Sequence, residues 1–244
     1  MSVEEMIKYR GSAVADPPAD TQSAMWPRIL PFAAYMGFIA INSFVGGSEA
    51  DGSQGTFDLW SYPIKTLVVA SLLMFFWSRF HELKGPVFVN WQEGLVTIGV
   101  GLGVYALWVR MDWPWAIQGE LSDYNPFLAG STLGLVLAGI RIFGASVIVP
   151  VMEELFWRSF LIRYVVNANF ETVRFGTFTL GSFAATVVLF GLEHNLWLAG
   201  MMAGICYNGL LYWTGRLWPC IIAHALTNLV LGIHVLATGE WYWW

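Results

Sequence analysis

Residues 217–237 read LWPCIIAHALTNLVLGIHVLA and contain no Asp, Glu, Lys or Arg. A helix that crosses the hydrocarbon core of a bilayer needs about 20 mostly apolar residues, and this run is long enough. It also holds His224 and Asn228. Because these two side chains are four residues apart, they lie on one face of a helix. The run therefore predicts a membrane-spanning helix with one polar face.

The rest of the chain is also apolar. Of the 244 residues, 57% are hydrophobic and 12% are charged, whereas soluble domains carry about 25% charged residues. Pro150 either kinks one long helix or separates two, and we favour two helices. We therefore predict an all-α, polytopic membrane helix bundle of about eight transmembrane helices. The other seven segments cover about residues 29–45, 62–77, 94–109, 127–150, 151–166, 177–192 and 196–213.

The N-terminus differs from the rest of the chain. Residues 1–27 are mostly polar, include Pro17 and Pro18, and lack the apolar core of a secretory signal. We expect a polar N-terminal tail over residues 1–27 and a single membrane-embedded helical domain over residues 28–244. The 12 Lys and Arg residues are scattered. Because phosphate binding needs clustered basic residues, nucleic acid is not expected as a main partner.

One cluster of ionisable residues lies at Glu153, Glu154 and Arg158. An ionisable side chain at the centre of a membrane helix costs at least about 2.5–3.5 kcal/mol, so it usually has a function. Glu154 and Arg158 are four residues apart and can pair, whereas Glu153 points about 100° away. An unpaired carboxylate in a dry site can act as a base. The alternative is ordinary charge pairing at a helix end near the membrane surface.

Two further clusters contain histidine. His194 ends an apolar segment four residues after Phe190, where an imidazole can bind a metal, hold a water, shuttle a proton or simply pack. Glu193 is interpreted as an interfacial charge and is left outside the candidate site. His224 and Asn228 can stabilise an oxyanion or form a polar contact between helices.

Taken in order, the three clusters have the patterns EExxxR, FxxxH and HxxxN. In these motifs, over about residues 130–238, the chain resembles the CAAX protease and bacteriocin-processing (CPBP, or Abi) family of glutamate-type intramembrane proteases, which includes the type II CAAX prenyl endopeptidases. The resemblance implies a protease core in that range and hydrolysis of a peptide bond near the membrane. It also implies catalytic roles for six residues: Glu153 and His194 activate a water, His224 and Asn228 form the oxyanion hole, and Glu154 and Arg158 order the site.

The resemblance also implies partners and a location. The expected partners are membrane lipid and a peptide or membrane-anchored protein substrate. No cofactor is expected, because a water activated by Glu153 and His194 can attack the peptide bond without a covalent intermediate. The expected location is the cytoplasmic (inner) membrane of a prokaryote, with the protein as a multi-pass integral membrane protein.

Two other functions remain open from the sequence. Glu153, His194 and His224 offer ligands for zinc, although the chain has no HExxH motif. Buried carboxylates and imidazoles also build proton relays, so a proton-coupled transporter is the second alternative, together with a non-catalytic membrane scaffold. The lack of inverted repeats counts against transport.

Overall fold

The computed structural model describes residues 21–45, 56–121 and 124–244. Within these ranges the fold is an all-α membrane bundle, as predicted. Most of the expected N-terminal tail lies outside the described residues, and the first described helix begins at Thr21. The helices are α1 (Thr21–Val45), α2 (Thr56–Phe75), α3 (Trp91–Trp108), α4 (Ser131–Tyr164), α5 (Leu180–Leu192), α6 (Trp197–Thr214) and α7 (Leu217–Thr238).

The described ranges hold seven long helices, so the predicted count of about eight is not confirmed. The fourth and fifth predicted segments form the single helix α4, and Pro150 lies inside it. A proline ring in a helix clashes with the preceding turn and removes one hydrogen-bond donor. The wider π-helical turn Gly144–Ile148 immediately precedes Pro150 and relieves that clash, so the helix continues.

Three helices of the described residues are long and apolar enough to cross a membrane: Ala24–Asn42, Ser131–Tyr164 and Leu217–Thr238. Leu59–Phe75 and Leu180–Leu192 are shorter apolar helices. Large apolar side chains such as Leu67, Met74 and Leu135 are about two-thirds exposed on the outside of the bundle. Water solvates such a surface poorly and lipid solvates it well, so the chain is an integral membrane protein.

Glycines allow the helices that carry the three clusters to approach closely. A Cβ atom added at Gly101 of α3 would lie 2.7 Å from the Ala223 carbonyl oxygen of α7. A Cβ added at Gly200 of α6 would lie 3.0 Å from Gly191 Cα in α5 and 3.2 Å from His194 Nδ1. Small residues at helix contacts are the usual packing device in membranes. Here they bring α3, α5, α6 and α7 together around α4.

Candidate active site

Glu153 and Glu154 end the α-helical turn of α4 that lies between two π-helical segments, Gly144–Ile148 and Leu155–Leu161. Such segments shift the register of a helix and often occur at functional sites. Both carboxylates are buried, with exposed fractions of 4% for Glu153 and 0% for Glu154. Although adjacent, they have different surroundings.

Glu154 belongs to a chain of buried polar contacts through its Oε1, whereas its Oε2 and Arg158 Nη2 are buried without a partner among the described residues. Arg158 Nη1 donates to Glu154 Oε1 at 3.2 Å, which confirms the pairing predicted from their spacing. His224 Nδ1 lies 3.0 Å from the same oxygen. The contacts continue away from Glu154, since Arg158 Nε donates to Asn208 Oδ1 at 3.1 Å and Asn208 Nδ2 donates to Thr186 Oγ1 at 2.9 Å. This buried network ties α4 to α5, α6 and α7.

Glu153 has no hydrogen bond to any of the described residues, and its Oε2 is buried without a partner. The nearest basic atom is His224 Nε2, at 3.9 Å from Glu153 Oε2. Leaving a buried polar atom unsatisfied is costly, so each case in a native structure calls for an explanation. The explanation here is a cavity, which Glu153 lines and Glu154 does not.

The cavity has a volume of about 300 Å³. Its wall brings together residues from all three sequence clusters: Glu153, His194, His224 and Asn228. Glu154 and Arg158 lie behind this wall, in the buried network. Four of the six predicted catalytic residues therefore line one cavity, and the other two support it.

His194 is held by its own helix end. Its Nδ1 lies 2.7 Å from the Phe190 carbonyl oxygen. Because a carbonyl oxygen only accepts, Nδ1 carries the proton in this contact, and Nε2 of the neutral ring keeps its lone pair. The rings of Phe190 and Trp108 lie 4.8 Å and 5.4 Å from the imidazole. His194 thus has a fixed ring and an acceptor nitrogen available for a ligand in the cavity.

Asn228 and His224 project from α7 into the same space. Asn228 Nδ2 donates to the Ala145 carbonyl oxygen at 2.8 Å. Ala145 lies one turn before Pro150, which has no N–H to donate to that turn. Only one of the two amide hydrogens of Asn228 is used in this contact, so the other remains for a ligand. The His224 ring is stacked on Tyr207 at 5.1 Å between ring centroids.

Three residues near the site were not selected from the sequence. Glu193 was interpreted as interfacial, but it lines the cavity and accepts a hydrogen bond from Trp157 Nε1 at 3.0 Å. Asn208 is fully buried at the centre of the network. Arg141 also lines the cavity. The signal was present for each, since a charge or amide inside an apolar helix is expensive.

No group of three or more His, Cys, Asp and Glu side chains in the described ranges is arranged to hold a metal ion. His194 Nδ1 and His224 Nδ1 both have protein partners, so each ring has only its Nε2 left for a ligand.

Comparison with known proteins finds that residues 134–230 are similar to one family. This range matches the family model described as Rce1-like, type II CAAX prenyl endopeptidase. The match covers the helices that carry all six predicted catalytic residues, and the resemblance found in the sequence motifs is confirmed. No curated protein and no solved structure matches the chain.

Proposed function

We propose that the CAAX protease family domain at residues 134–230 is an intramembrane endopeptidase that uses a water activated by Glu153 and His194. One observation carries this proposal. A carboxylate without a hydrogen bond, two imidazoles and a carboxamide line one cavity inside an apolar helix bundle. Such groups are those that peptide hydrolysis needs, and buried polar groups in membranes usually mark a working site.

The water lies between two acceptors. Glu153 carboxylate and His194 Nε2 each accept one of its hydrogens, which leaves an oxygen lone pair for the substrate carbonyl carbon. As the C–O bond forms, Glu153 takes a proton and the carbonyl oxygen becomes an oxyanion. When the intermediate collapses, the C–N bond breaks and the same proton passes to the leaving amine. Carboxylic acid and amine products are released, and Glu153 is again a carboxylate.

The oxyanion is stabilised by α7. The free amide hydrogen of Asn228 donates to it, and His224 Nε2 also donates when that nitrogen is protonated. Glu154 fixes the His224 ring through Nδ1, and Arg158 fixes Glu154 in turn. In this proposal Glu154 and Arg158 are positioning residues, since neither lines the cavity. Cys206 and Cys220 lie outside the cavity wall and play no part.

The reaction is proposed to need no metal or other cofactor. The alternative is zinc held by Glu153, His194 and His224. The two differ in their response to chelation: the proposed mechanism keeps full activity after dialysis against a strong chelator, whereas a zinc enzyme loses it and recovers when zinc is added.

The substrate is proposed to be a peptide or a membrane-anchored protein, reached through the surrounding lipid, in the cytoplasmic membrane of a prokaryote. The family description names CAAX prenyl endopeptidases. A prenylated peptide ending in a Cys-aliphatic-aliphatic-X sequence is therefore the first probe to use.

The test is cleavage of this probe by purified protein in liposomes, followed by mass spectrometry. We expect wild-type protein to release a C-terminal fragment and Glu153→Gln to lose about 100- to 10,000-fold of the rate, because general acid–base groups contribute about 10²–10⁴-fold. Glu171→Gln, at an exposed position, is the matched control and should cleave normally. A fully active Glu153→Gln protein would refute the mechanism. Proton flux driven by a pH gradient, without cleavage, would favour a transporter.

A further inference from the structure

Arg141 is a further charged residue of α4 that lines the catalytic cavity. It lies twelve residues before Glu153. At about 1.5 Å per residue, the two backbone positions are about 18 Å apart along the helix. A substrate in the cavity can therefore contact both the Glu153 carboxylate and the Arg141 guanidinium.

The guanidinium of Arg141 is surrounded by aromatic rings and not by carboxylates. Its Cζ lies 4.0 Å from the Tyr62 ring centroid, 5.4 Å from that of Tyr124 and 5.8 Å from that of Trp244. No Asp or Glu in the described ranges forms a salt bridge with it. Its Nε is buried and has no hydrogen-bond partner. By contrast, the three arginines that are buried in the described residues, Arg28, Arg158 and Arg163, each donate to at least one protein acceptor.

A second basic side chain, Lys65, lies close to Arg141. Lys65 Nζ lies 3.9 Å from the Tyr35 ring centroid and 5.0 Å from that of Tyr62, so Lys65 and Arg141 share one tyrosine. Lys65 is buried and has no salt bridge among the described residues. Glu153 and Glu193 line the same cavity as Arg141. The cavity wall therefore carries two carboxyl groups and one guanidinium.

We infer that Arg141 binds the C-terminal carboxylate of the peptide substrate and so fixes which peptide bond reaches Glu153. This inference rests on the proposed protease function. A guanidinium offers paired N–H donors that match the two oxygens of a carboxylate, and such contacts are stronger than neutral ones. Tyr62 and Trp244, whose rings lie against Arg141, also line the cavity, so a carboxylate bound there would lie among aromatic rings.

The test compares two forms of one probe, the prenylated peptide with a free C-terminal carboxylate and the same peptide with a C-terminal amide. Binding is measured on protein with Glu153→Gln, so that cleavage does not interfere. We expect the acid form to bind about 10- to 100-fold more tightly than the amide, the range of one charge-assisted contact. When Arg141→Gln is added to the Glu153→Gln protein, the ratio of the affinities for the acid and amide forms should fall to about one.

The ratio separates recognition from a structural role. If Arg141 only holds Tyr62, Tyr124 and Trp244 in place, Arg141→Gln weakens both forms equally and the ratio stays as in wild type, which would overturn the inference. Arg110→Gln, which removes an exposed arginine, is the matched control and should leave the ratio unchanged. An amide peptide ending in Asp that binds as tightly as the acid would also overturn the assignment to the chain end.

Two further results keep the test decisive. Should Arg141→Gln fail to fold, equal binding of the acid and amide forms by Glu153→Gln protein alone overturns the inference. Arg141→Lys keeps the charge but loses the planar fork, so it should retain part of the preference. Binding and cleavage are measured separately, so the two proposals can fail separately. If wild-type protein never cleaves the probe but the preference for the acid form still depends on Arg141, the protease proposal is rejected and the carboxylate-binding site is kept.

Discussion

The cavity wall and the buried network behind it meet at two adjacent residues of α4 and differ in how their polar groups are satisfied. On the network side, Glu154 contacts both Arg158 and His224, and the contacts run on through Asn208 to Thr186. On the cavity side, Glu153 has no hydrogen bond to the described residues. The same residue type thus has two environments one residue apart.

This difference separates stability from chemistry. Groups that are paired inside a protein are costly to remove, because each leaves its partner buried and unsatisfied. When a carboxylate that faces a polar cavity is neutralised, no protein partner is left buried without a hydrogen bond. Active sites often give up some stability in this way. The comparison therefore predicts opposite results from equivalent substitutions on the two sides.

The largest expected effect on stability is that of Glu154→Gln. It removes the only carboxylate that pairs with Arg158 in the described residues, and breaking one partner of a buried ion pair costs about 3–5 kcal/mol. Glu153→Gln should leave the free energy of unfolding unchanged or slightly larger, although it abolishes cleavage. The measurement is denaturant unfolding in detergent micelles.

The pair of variants is its own control, since both make the same chemical change at neighbouring positions of one helix. Equal destabilisation by Glu153→Gln and Glu154→Gln would show that the two sides of α4 do not differ in the way the contacts indicate. Loss of stability in Glu153→Gln alone would reverse the comparison.

Much of this division could be predicted from the sequence. The spacing of Glu154 and Arg158 predicted their pairing, and the helical angle between adjacent residues predicted that Glu153 would lie apart. The sequence could also place His194, His224 and Asn228 on helices with apolar neighbours. It could not show which atoms would meet, since His194 follows α5 whereas His224 and Asn228 lie on α7, and the packing of these helices depends on glycines such as Gly200.

Other features depended on three-dimensional context. Proline usually ends or bends a helix, so Pro150 predicted a break, but the π-helical turn before it keeps α4 continuous. Glu193 lies next to His194 in the sequence and was assigned to the membrane surface, whereas the end of α5 turns it into the cavity. Asn208 gave no spacing pattern, because its partners Arg158 and Thr186 lie on other helices.

A smaller effect on the network side is expected from Asn208→Ala. Arg158 Nε and Thr186 Oγ1 would each lose a buried partner, which costs about 1–3 kcal/mol. Because Arg158 holds Glu154, and Glu154 holds His224, we also expect a fall in the cleavage rate with little change in KM. Both are measured on the same protein, by unfolding and by initial rates with the prenylated probe.

Cys206→Ala is a suitable control for Asn208→Ala, since it shortens a side chain on the same helix outside the network. It should leave the cleavage rate as it is. An Asn208→Ala protein with normal stability and rate would show that Asn208 is not required to order Arg158.

The smallest effect is expected at the boundary between the two sides, with Tyr207→Phe. The Tyr207 hydroxyl donates to Thr227 Oγ1 at 2.9 Å, and its ring stacks on His224. Phenylalanine keeps the ring and removes one hydrogen bond, so we expect about 0.5–1.5 kcal/mol of lost stability and a cleavage rate within about threefold of wild type. Tyr105→Phe, which removes a hydroxyl contact with His234 away from the cavity, is the control. Tyr207 also lines the cavity. If Tyr207→Phe lost 100-fold of the cleavage rate and Tyr105→Phe lost none, the Tyr207 hydroxyl would have a role in the reaction and not only in supporting the His224 ring.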